Sequence, residues 1–136
     1  LILGIIISIL LGVFQLRACT DESCFNLALV GCKKIGYIKN SQDTIIHYVI
    51  KGKEDGLCKV DVTMIQVKRG SNELYSLEGK GMQCLTPEGT YVIPEEDIAK
   101  CHGLLKESIQ EIIIQRMHSQ IVENIGKISE EVTEVL

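Results

Sequence analysis

The sequence predicts an α+β fold: an N-terminal hydrophobic helix, a small disulfide-stapled antiparallel sheet of four or five strands, and a long C-terminal amphipathic helix. Three observations carry this expectation. Residues 1–16 hold no charge, residues 44–93 alternate apolar with polar positions, and residues 95–136 repeat apolar residues at helical spacing. Six cysteines, Cys19, Cys24, Cys32, Cys58, Cys84 and Cys101, all follow the apolar segment. An even count reads as up to three bridges, with fifteen possible pairings.

Composition narrows the class before any motif is considered. With 136 residues, 46% hydrophobic and 24% charged, the chain is the size of one domain and can bury a core. Two prolines exclude collagen-like and Pro-rich classes. A net charge of −4 argues against a nucleic-acid partner held by phosphate neutralisation. Six cysteines in so short a chain point to an oxidising compartment, so an extracellular or cell-surface location is expected.

Twelve of the first sixteen residues are Leu, Ile, Val or Phe, and Arg17 is the first charge. As a helix the run spans roughly 24 Å, short of the ~30 Å hydrocarbon core; Ala18 and Cys19 bring it to the lower limit for a span. The chain starts at Leu1 rather than Met. That leaves a truncated precursor, a permanent anchor, or cleavage on the cytoplasmic side of the apolar run. The last arrangement resembles the type IV pilin family, over Leu1 to about Leu16 and in the order of elements that follows. Bacterial members carry Glu as the fifth mature residue; Ile5 here fits only the archaeal variety. The resemblance implies membrane insertion before assembly, then a filament core built from copies of Leu3, Ile6, Leu10, Val13 and Phe14. Ala18-Cys19 also partly suits a lipidation site, but Arg17 stands where a small or apolar residue is expected.

No Cys-x-x-Cys occurs, which removes the thioredoxin-type motif and the common zinc ribbons. Cys101 and His102 point about 100° apart on a helix, so they are a poor metal pair. The Cys-x4-Cys-x7-Cys spacing at 19–32, with Met82-Gln83-Cys84 and Cys101-His102-Gly103-Leu104, resembles uncharacterised cysteine-rich archaeal surface proteins. That resemblance implies export and no particular activity.

Along the body, Thr20 is an N-cap candidate for a helix over about 21–35, ended by Gly36. Thr44–Ile50 reads as a strand, Gly52 to Gly56 as a turn, and Cys58–Met64 as a half-buried strand. The apolar phase slips after Met64, which predicts a β-bulge at 64–65. Gly70-Ser71-Asn72 reads as a hairpin turn into a strand over Glu73–Leu77. Further strands are expected at Met82–Thr86 and Tyr91–Ile93. Pro94 and three acids then open a helix that runs to residue 136. Residues 95–118 are expected to pack on the sheet; the rest either frays or, as preferred here, meets another subunit or another chain through Ile121, Ile125, Ile128 and Val132. The parts are therefore 1–18, a hydrophobic helix; 19–120, the stapled domain; and 121–136, a helical tail.

Chemistry is sparse. The histidines, His47, His102 and His118, show no spacing that unites them. No nucleophile elbow, Walker loop, dinucleotide fingerprint or zincin motif occurs. No catalytic residue, metal or cofactor is expected. The expected function is a structural subunit of an extracellular pilus-like filament. The alternative is a membrane-anchored, cysteine-rich surface protein with a binding role. A thiol oxidoreductase, the third class, requires a free reactive thiol.

Overall fold

The computed structural model describes residues 2–13 and 17–135, with the side chains of 2–7 and 17–135. Helix α1 spans Ile2–Val13. Strand β1 (Ala18–Cys19), helix α2 (Glu22–Val30) and strand β2 (Gly36–Asn40) follow. A long hairpin, β3 (Thr44–Glu54) and β4 (Leu57–Val67), leads to the single-turn helix α3 (Asn72–Tyr75). Strand β5 (Gly81–Pro87), a 3-10 segment (Pro94–Lys100), strand β6 (Cys101–His102) and helix α4 (Leu104–Val135) complete the chain.

The six strands form one sheet in sequence order, β1-β2-β3-β4-β5-β6. It is mixed: β1 runs parallel to β2 and every other pair is antiparallel. This corrects the expected antiparallel sheet of four or five strands. Both edge strands, β1 and β6, are two residues long and carry too few positions for a two-fold pattern to register. The parallel pairing follows from α2, which is the crossover between β1 and β2.

Helix α2 is also shorter than expected. Asp21, rather than Thr20, caps it by accepting from the Cys24 amide at 2.7 Å. It ends at Val30, where the Lys33 amide donates to the Ala28 carbonyl and the Cys32 amide to the Leu29 carbonyl. That pair of bonds is a Schellman closure, and it puts Cys32 at φ 49, the left-handed region usually given to glycine. The strand expected at Glu73–Leu77 is instead α3 and its following turn, and Tyr91–Ile93 is not a strand.

The expected helix from residue 95 is broken. Asp97 departs to φ −127, ψ 80, Cys101 is drawn into β6, and α4 begins only at Leu104. Gly103 makes the corner at φ 130, where a Cβ would lie 2.8 Å from the Gly81 carbonyl oxygen. The N-terminal hydrophobic helix is likewise shorter than the segment 1–18. Its twelve residues reach about 18 Å, and among the described residues no helix is long and apolar enough to cross a membrane.

One face of the sheet builds the core. Cys58, Val60, Val62 and Met64 of β4 are buried alternately, beside Tyr48 and Ile50 of β3 and Met82 and Cys84 of β5. Phe25, Ala28 and Leu29 of α2 cover one end; Leu105 and Ile112 of α4 and Leu77 cover the other. Ile65 has no partner, since Ile45 pairs with Gln66 and Ile46 with Met64. The bulge therefore sits where the phase slip anticipates it, and Val67 returns to the core.

All six cysteines are paired: Cys19–Cys24, Cys32–Cys58 and Cys84–Cys101. The first ties β1 to the start of α2, the second ties the end of α2 to β4, and the third joins facing residues of β5 and β6. Loops of 5, 26 and 17 residues imply about 2, 3.5 and 3 kcal/mol of chain-entropy stabilisation, in that order. Three such bridges place the folded chain in an oxidising, extracellular-type environment.

Candidate assembly surfaces

Two helices leave long apolar side chains uncovered, for different reasons. In α1 the whole sequence is uncharged, so no polar face exists. Ile2, Leu3, Ile5, Ile6 and Ile7 are all exposed, and none of them contributes to the domain core. Leu3 and Ile6 of the expected assembly core thus lie on an open helix surface. The helical backbone continues through Leu10 and Val13, but their side chains, and Phe14 altogether, lie outside the described residues.

Helix α4 is amphipathic twice. Its first turns lie on the sheet through Leu105, Ile109 and Ile112. Lys80 Nζ donates to Ser108 Oγ at 2.8 Å, and Arg116 Nε lies 3.8 Å from Glu73 Oε2 of α3. Ile112 is 9% exposed, whereas Ile113 is 45% and Ile114 65% exposed. From there Met117, Ile121, Val122, Ile125, Ile128 and Val132 are all open. The i, i+4 series read from the sequence, Leu105, Ile109, Ile113, Met117, Ile121 and Ile125, advances about 40° per step, so five steps carry it roughly 200° round the helix. The single stripe expected from the sequence is therefore two faces on opposite sides of one helix. Ile121, Ile125, Ile128 and Val132, the expected subunit contacts, all belong to the outward one.

The polar features are separate from both helices' exposed rows. Phe25, Tyr37 and Tyr48 form an aromatic cluster with ring centroids 5.0–6.3 Å apart. Tyr48 donates its hydroxyl to Glu95 Oε1 at 2.5 Å, while Glu95 Oε2 is buried with no partner among the described residues. Burial, reinforced by the Glu95 hydrogen bond, pushes the Tyr48 hydroxyl far above its ordinary value of 10.0. The register of β2 and β3 sets Tyr37 against Tyr48, α2 brings Phe25 and the 3-10 segment brings Glu95, and no local motif announces them.

On the opposite face of the sheet a groove of about 600 Å³ is lined by Arg17, Gly36, Ile38, His47, Val49 and Lys51 among others. His47 is half-buried there, His102 is exposed in β6, and His118 is exposed on α4. Among the described residues no group of three or more His, Cys, Asp or Glu is arranged to hold a metal ion. Compared with known proteins, the chain matches no family model, no curated protein and no solved structure.

Proposed function

We propose that this chain is a structural subunit of an extracellular assembly, a pilus-like filament in which α1 packs against copies of itself and the stapled domain faces outward. One observation carries the reading: the domain closes its core without any of residues 2–7, leaving an uncharged helix with its Ile and Leu side chains in the open. Each such side chain removed from water contributes about 1.5–3 kcal/mol, so packing many copies together favours assembly strongly. The three bridges supply the durability that a subunit outside the cell requires.

The test is electron microscopy of the sheared surface fraction. Wild type is expected to give uniform filaments with a helical repeat. Ile6→Asp is expected to abolish them while circular dichroism and an intact mass with three bridges show the sheet domain still folded. Normal filaments from Ile6→Asp would overturn the reading. A second reading, a membrane-anchored surface protein with a binding role, is favoured by the groove on the outer sheet face, where Arg17, His47 and Lys51 surround apolar Ile38 and Val49.

A further inference from the structure

We propose that the exposed part of α4 forms an antiparallel pair with the same segment of a second copy, an interface independent of α1. The outward residues Ile114, Met117, Ile121, Ile125, Ile128 and Val132 follow spacings of 3, 4, 4, 3 and 4. This is an eleven-residue repeat, in which Ile114, Met117 and Ile121 recur as Ile125, Ile128 and Val132. Eleven residues occupy just over three turns, so the row drifts about 20° per repeat. A heptad row would wind left-handed around its partner; this row drifts the opposite way and more slowly per residue, so it winds gently right-handed. It can therefore lie along the same segment of another copy from Ile114 to Val135, about 33 Å.

A second copy fits in area and in charge. Eight exposed apolar residues, the six above with Val122 and Val135, offer roughly 100 Å² each, about the 800 Å² that each partner of a standard interface contributes. The row is bordered mainly by uncharged residues, His118, Val122 and Ser129 on one side and Asn124 and Val135 on the other. Glu131 borders it near the end. Arg116, Glu123, Lys127, Glu130 and Glu134 lie on the far side, so two copies can approach without burying them. Lys127 and Glu123 pair there within one helix at 3.2 Å.

Charge also sets the sense of the pair. Residues 113–122 carry one cation, Arg116, whereas 123–135 carry four acids against Lys127. A parallel pair would bring the two acidic ends together. An antiparallel pair sets Glu131, the acid that borders the row, against the partner's half that carries no acid, with the helix dipoles opposed. The pair is isologous and closed, so by itself it stops at two copies. Combined with assembly through α1, it would join neighbouring filaments side by side.

The full chain carrying Ile6→Asp separates this proposal from the filament reading, because the charge in α1 suppresses association there. Sedimentation equilibrium of that variant is expected to show a dimer, twice 15.1 kDa. Adding Ile121→Glu and Ile125→Glu is expected to weaken association at least tenfold and leave a monomer with its three bridges intact. A monomeric Ile6→Asp chain, or an oligomer indifferent to the two α4 substitutions, would overturn the pairing whatever filaments do. A spin label on Thr133→Cys reads the sense: about 25 Å of axial separation in the antiparallel pair, against about 10 Å side by side in a parallel one. The short distance would overturn the antiparallel arrangement.

Discussion

Tyr48 shows how a single buried hydroxyl ties distant parts of the chain together. It is 2% exposed, sits in β3, and reaches the carboxylate of Glu95 in the 3-10 segment. Replacing Tyr48 by Phe removes the donor and leaves both Glu95 oxygens without a partner, which is expected to cost about 2 kcal/mol in denaturant unfolding. The pH dependence has a definite sign. The folded state holds the tyrosine proton more tightly than the unfolded chain, so this stabilisation is complete below pH 10 and declines as pH rises above it. Stability measured against pH should fall above 10 in wild type, and fall less in Tyr48→Phe. Cys32 makes a second point at this scale. Its left-handed backbone suits glycine, but the bridge to Cys58 demands cysteine. In a Cys58→Ala background, Cys32→Gly is therefore expected to be about 1 kcal/mol more stable than Cys32→Ala, by thermal or denaturant unfolding.

Among the elements, α4 departs furthest from the usual economy of a surface helix. Its exposed length depends on helix propensity and on whatever covers its apolar row, since the sheet supports only its first turns. Gly126 lies in that stretch, and a Cβ added there meets nothing within 4 Å. Gly126→Ala is expected to raise helicity at the C-terminal end and stabilise the helix by about 1 kcal/mol, read as slower amide exchange over residues 120–135. The hairpin of β3 and β4 was legible because eleven-residue strands repeat their pattern many times. The bulge was legible too, as a single slip in that pattern. Strands β1 and β6 were not, because their pairing is imposed by neighbours rather than by periodicity. The break before α4 was hidden for a related reason. Ile98, Cys101 and Leu105 keep helical spacing while the Cys84–Cys101 bridge and Gly103 redirect the chain.

At the scale of the molecule, a closed and bridged domain carries α1, whose described side chains are open, and α4, which is open beyond its first turns. Sequence composition indicated the oxidising compartment, and the number of cysteines agreed with three bridges. Their pairing was beyond reach, because it depends on strand register and on where α2 stops. The candidate surfaces were legible as apolar segments, but not their orientation. Spacing of four residues looks like one stripe on paper and becomes two opposed faces on a real helix.

That division would fix an angle in the proposed assembly. Ile112 is the last residue against the sheet and Ile114 the first of the outward row, two residues and about 200° apart. The residue count between them works as a rotational setting for whatever the outer row touches. One residue inserted there would swing a docked neighbour by about 100°, with every contact in both faces chemically unchanged. Four inserted residues would swing it by only about 40° and lengthen the arm by about 6 Å. The angle between the two faces is thus written in the chain as a torsional phase, a property that neither face possesses alone.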